Sequence, residues 1–217
     1  MTLVELSHVI RAGMVTYPGL PGPEITPHWT REGTAGKYAP GTTFEINRIS
    51  LIGNTGTYVD SPAHRYEGAA DLSGLPLHRL ADLPGRVVRV PEGVTAIDRS
   101  HLRGYAVGGQ AVLVHTGWDR HFGTAEYGAG GHPYLTADAV DWLVTQDVAL
   151  VGIDSVNIDG TAGGERPAHT GLLAAGIPIV EHLTRLGELP TGGFRFHAVP
   201  PAIAGMTSFP VRAYALW

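Results

Sequence analysis

Thirty glycines and sixteen prolines punctuate this chain of 217 residues. Glycine opens backbone conformations that end regular structure, and proline fixes φ and removes an amide donor. A chain cut so often is built from short elements joined by turns. The apolar runs between the cuts are short. Val148 to Ile153 (V-A-L-V-G-I) is continuous and reads as a buried strand. Leu3 to Ile10, Phe44 to Ile52, Arg86 to Val90, Ala111 to His115, Ile177 to Val180, Phe194 to Val199 and Phe209 to Leu216 read as further strands. Thr136 is placed to cap a helix running to about Gln146, and a second short helix opens at His169 and ends at Gly176. Many strands, two or three helices and no regular βαβ alternation predict an α/β fold. It is a single domain over 1–217 with a mixed β-sheet and flanking helices.

One stretch concentrates chemistry. Asn54 to His64 reads N-T-G-T-Y-V-D-S-P-A-H, and Gly56 and Pro62 exclude a regular helix there. Taken as extended, its even positions share one face, which carries Asn54, Tyr58, Asp60 and His64. A carboxylate and an imidazole on one face suit a metal or acid–base site. The same residues also suit a turn closed by an Asx hydrogen bond beside a solvated histidine.

Composition narrows the function classes. The chain has no cysteine, which excludes a disulfide scaffold, a thiolate zinc site and a cysteine nucleophile. A metal would need His, Asp, Glu or weaker oxygen ligands. The net charge of −5 without a basic stripe argues against nucleic acid as partner. No apolar run approaches the roughly 20 residues of a membrane span, and no signal peptide is visible, so a soluble cytoplasmic protein is expected. The loop Thr16 to Pro23 is too rich in proline for a sheet interior and could line a pocket with Tyr17 and Trp29. His121 and His132 lie in a Gly-rich loop, where a single histidine is usually solvated.

The Asn54–His64 stretch resembles the signature of the metal-dependent cyclase family, which includes bacterial kynurenine formamidases and isatin hydrolases. That signature is H-x-G-T-H-x-D-x-P-x-H. Gly56, Thr57, Asp60, Pro62 and His64 match in register, whereas Asn54 and Tyr58 stand where the family has two histidines. The likeness continues in T-G-W-D (residues 116–119), in G-I-D-S-V-N-I-D (152–159) and around Glu181, and covers essentially the whole chain. In the Y-P-G-D-P segment of the family this chain has Leu20 in the acidic place.

The resemblance implies the family's swivelling β/β/α fold. It also implies two metal positions sharing the aspartate: one uses the two motif histidines, the other the aspartate with a distant His and a Glu 12 residues later. His169 and Glu181 reproduce that spacing. With Asn54 and Tyr58 as poor ligands, the expectation is at most one divalent ion, zinc or manganese, on Asp60, His169 and Glu181. His64 is then expected as acid and base, Tyr58 as hydrogen-bond donor to an oxyanion, and Asn54, Tyr17 and Trp118 as substrate contacts. Trp29 and Tyr66 are expected to add aromatic wall. The activity implied is hydrolysis of a small amide, formamide, cyclic amide or lactone. Two other readings are a metal-free cyclase, dehydratase or isomerase using His64 and Tyr58, and a non-catalytic small-molecule binding protein. A homodimer is expected from the family and from the apolar, aromatic-rich termini.

Overall fold

The computed structural model describes all residues from Met1 to Trp217. In chain order the elements are β1 Leu3–Glu5, β2 Glu24–Trp29, α1 Arg31–Thr34, β3 Ile46–Ser50, β4 Tyr58–Asp60, β5 Leu83–Arg89, β6 Ala96–Ile97, α2 Arg99–Leu102, β7 Ala111–His115, β8 Tyr134–Leu135, α3 Ala137–Thr145, β9 Leu150–Ile153, α4 Pro167–Ala174, β10 Ile179–Glu181, β11 Gly192–His197, β12 Ser208–Pro210 and β13 Tyr214–Leu216. Nine strands form one mixed sheet in the order β1-β13-β11-β5-β7-β9-β10-β4-β12. Its centre, β5-β7-β9-β10, is parallel, and both wings are antiparallel.

Period-2 alternation divides the central strands between two cores. On β7, Leu113 enters one core while Val112 and Val114 enter the other. The second core is closed by α3 and α4 through Val140, Leu143, Leu172 and Leu173. Each fully buried aliphatic side chain contributes roughly 1.5–3 kcal/mol relative to exposure. The buried apolar runs of β7 and β9 therefore anchor the sheet.

The expected strand Phe209 to Leu216 divides in two because the chain changes edges there. β12 pairs with β4 at one end of the sheet, and β13 lies next to β1 at the other. Only Val211–Ala213 join them, so the sheet must curl until its ends nearly meet. The link is fastened by Val211 N–H to Thr57 O (2.9 Å) and Leu6 N–H to Ala213 O (2.9 Å).

Two expectations change. Phe44 to Ile52 does not enter the main sheet: β3 covers Ile46–Ser50 and pairs only with β2, a strand the proline-rich sequence concealed. Pro27 lies within β2, which suits a strand with a free edge. Every residue of this ribbon is exposed. Thr136 does occupy the position before α3, but its hydroxyl bonds Ile97 O and Asp138 rather than a helix amide.

Gly85 and Phe194 are cross-strand partners on β5 and β11. The aromatic ring covers the glycine so closely that a Cβ would fall on it. Gly85→Ala should therefore lower stability by about 1–3 kcal/mol through overpacking, read as a shifted urea midpoint. Gly163→Ala, where a Cβ meets open space, is the reference and should move the midpoint far less.

Candidate metal and active site

The site grows from the register of β4. Tyr58 stands opposite Glu181 on β10, and Asp60 stands opposite Ser208 on β12. Directly opposed side chains share a face, so these four groups converge. The intervening Val59 points into the core. The alternation expected for this stretch thus holds through β4. It ends at Pro62–His64, a 3-10 turn that swings His64 back over the strand.

Asp60 is fully buried. Its Oδ1 accepts the Ser208 hydroxyl proton. Ser208 Oγ also lies 2.9 Å from His64 Nδ1. Since serine has one proton and gives it to Asp60, His64 Nδ1–H must donate to the serine oxygen. That tautomer leaves His64 Nε2 with a free lone pair, on a side chain 31% exposed. Asp60 Oδ2 is buried without a hydrogen-bond partner, 3.7 Å from His169 Nε2.

His169 is set by Asp159. The Asp159 carboxylate accepts Ala168 N–H (2.6 Å) and His169 N–H (3.0 Å), fixing the start of α4. It also sits 2.6 Å from His169 Nδ1, which turns Nε2 toward Asp60. Burial opposes charge on His169. The hydrogen bond to Asp159 and the nearby carboxylates of Asp60 and Glu181 outweigh burial and raise its pKa to about 10. Glu181 Oε1 accepts Ile158 N–H at 2.6 Å and lies 4.0 Å from His169 Nε2. Burial drives the Glu181 pKa up to about 7, partly countered by His169.

Tyr58 directs its hydroxyl to Glu181 Oε2, and Tyr17 stands 3.3 Å from the Tyr58 oxygen. Burial, chiefly, raises the pKa of both phenols well above the usual range. Behind them His182, at φ 56°, is wholly buried and hydrogen-bonds the Tyr127 hydroxyl through Nδ1 at 2.8 Å. Burial lowers its pKa to about 3, so it is neutral.

Ligand atoms of Asp60, His64 and His169 lie within 4.8 Å of one another. A buried carboxylate oxygen without a donor and an imidazole nitrogen turned onto it fit a divalent cation. Of the residues singled out in the sequence, Tyr17, Tyr58, Asp60, His64, His169 and Glu181 therefore meet in one network. Asn54 is half-buried and its side chain makes no hydrogen bond. Trp118 packs against His121 and donates to Tyr127 O (3.2 Å). Trp29 lies on the exposed ribbon beside His28 and Lys37. Tyr66 donates to Thr170 O (2.9 Å). His121 pairs with Glu126 at 3.0 Å, and His132 bonds the Asp159 carbonyl at 3.0 Å.

Ser208 and the role of Asp159 were missed. Asp159 ends the G-I-D-S-V-N-I-D run, and its position ten residues before His169 was the available sign. Ser208 reaches the site only through strand pairing and had no local signal.

Several known proteins are similar. Kynurenine formamidase from Salinibacter ruber is 27% identical over 213 residues, 98% of this chain and 96% of the relative. A solved structure described as a potential metal-dependent hydrolase with cyclase activity superposes with a TM-score of 0.80 at 25% identity, covering 99% of this chain and 96% of that one. An isatin hydrolase bound to the product analogue thioisatinate superposes with a TM-score of 0.84 at 23% identity, covering 99% and 92%. The sequence model of the cyclase family matches residues 4–160, most of the length, and the chain belongs to that family.

Proposed function

We propose that this protein is a metal-dependent hydrolase of a small amide, formamide, cyclic amide or lactone. One observation carries the reading: the partnerless, buried Asp60 Oδ2 faces His169 Nε2 at 3.7 Å. The relatives named kynurenine formamidase and isatin hydrolase support the substrate class. Asp60, His169 and Glu181 would hold one divalent ion. One nitrogen and two carboxylates suit zinc, or manganese if water enlarges the shell. Such an ion supplies a Lewis acid and makes hydroxide accessible near neutral pH.

The chain's own groups do the rest. His64 Nε2, freed by its Nδ1–H bond to Ser208, accepts a proton from the attacking water. It returns that proton to the leaving nitrogen or oxygen as the carbonyl carbon's bond to it breaks. Tyr58 orients Glu181, and Tyr17, anchored on the Val156 carbonyl, stands beside the Tyr58 hydroxyl. The metal-free reading, with His64 and Tyr58 as partners, is less well supported because the Tyr58 proton is committed to Glu181. The reading is of a cytoplasmic homodimer. An isolated two-stranded ribbon is marginal in water, and the β2-β3 ribbon exposes Ile25, Trp29, Ile46 and Ile49, so a second copy is the proposed cover. Sedimentation at micromolar concentration should give the mass of two chains, and the mass of one would exclude the dimer.

Metal and activity should separate by residue. Glu181→Gln and His169→Ala should lose the ion, measured by elemental analysis after mild purification. His64→Ala should keep it and lose about 10²–10⁴-fold in kcat against a formanilide. Metal lost from His64→Ala but kept by Glu181→Gln would reverse the two assignments.

The metal-free His169 holds a proton up to a pKa of about 10. An ion entering at neutral pH must displace it. Affinity should therefore rise with pH from about 6 to about 9, with about one proton released per ion above pH 7 and more than one below it, where Glu181 is protonated as well. Calorimetry in buffers of different ionisation enthalpy reads the release; flat affinity and no release would contradict it.

A further inference from the structure

A second feature touches the site from outside. The residues that follow the two histidines, Arg65 after His64 and Thr170 after His169, line one cleft of about 580 Å³ together with Gly164, Glu165, Arg166 and Pro167. No hydrophobic residue lines it. Its two walls are tied by the Tyr66 hydroxyl, which donates to Thr170 O at 2.9 Å. The cleft is therefore held in fixed relation to His64 and His169 by one-residue steps along the chain.

Its charge is unbalanced. Arg166 spends Nη1 on the carbonyls of Gly160 (3.2 Å), Gly163 (2.8 Å) and Glu165 (2.7 Å), which folds the loop and leaves the rest of its guanidinium available. Arg65 is exposed and its guanidinium lies over the Tyr66 ring, 5.4 Å from the centroid. Neither arginine is ion-paired, and two cations outweigh the one Glu165. A planar guanidinium at the edge of an open cleft is suited to a carboxylate.

We propose that Arg65, with Arg166 behind it, binds a carboxylate carried by the substrate away from the scissile carbonyl, so that the enzyme prefers anionic amides. This rests on the hydrolase reading of the neighbouring site. The carboxylate docks in the cleft while the carbonyl lies toward Asp60 and His64. Arg65 is a specificity-determining residue, and the preference is set by charge because two unpaired guanidinium groups flank the cleft.

The test compares 3-formamidobenzoate with formanilide, which differ by one carboxylate. In the metal-loaded wild-type protein the ratio of their kcat/KM values should favour the anion by about tenfold, the scale of one charge-assisted contact near solvent. Arg65→Ala should bring the ratio toward one, and Arg65→Glu should invert it. Arg166 is left intact because it holds the loop. Calorimetric titration with the same two compounds gives a reading that needs no turnover: wild type should bind the anion more tightly, and Arg65→Ala should erase the difference. Equal binding of both compounds, or a preference untouched by Arg65→Ala and Arg65→Glu, would overturn the inference. Selective binding without hydrolysis of either compound would support this cleft and count against the hydrolase reading alone.

Discussion

The site depends on how Asp60 divides its two oxygens. One receives the Ser208 proton; the other is buried without a donor and faces His169. A buried carboxylate oxygen is costly to leave uncompensated. In the ion-free protein the compensation comes from a proton on His169, whose pKa is accordingly high. In the proposed reading a divalent ion replaces that proton. The same aspartate sets His64, because Ser208 has no proton left for it and the imidazole must donate. One side chain thereby links the metal position to the acid–base group.

That arrangement requires the sheet to curl. β4 has β10 on one side and β12 on the other, and the site takes Glu181 from the first and Ser208 from the second. After three linking residues the chain is near the opposite end of the sheet in β13. The apolar alternation of the central strands builds the two cores, and the antiparallel wing then gathers the buried polar side chains of Tyr58, Asp60, Glu181 and Ser208. Asp159 adds the helical component by capping α4 and turning His169 inward. Fold and site are thus joined by a small number of buried carboxylates.

Much of this was legible from sequence. The continuous run at Val148–Ile153 and the alternation through Tyr58–Asp60 are local signals, and both appear as strands. The pairing of His169 with Glu181 came from their spacing in a family pattern, not from local chemistry. Ser208 was invisible because its contact with Asp60 spans 148 residues and is created by strand register. The β2-β3 ribbon was obscured because Pro27 and imperfect alternation are poor strand signals, although an exposed ribbon tolerates both. Tyr58 was expected to face a substrate. Its proton instead goes to Glu181, an outcome set by the cross-strand register of β4 and β10.

The departure of this chain from its family pattern, Asn54 and Tyr58 in place of two histidines, makes the ligand shell the decisive quantity. X-ray absorption at the zinc edge of the loaded protein measures it directly. The account requires a single ion with an oxygen-rich first shell and the multiple-scattering signature of one imidazole, His169. A shell with two imidazoles would place His64 on the ion and remove it from proton transfer, contradicting the account.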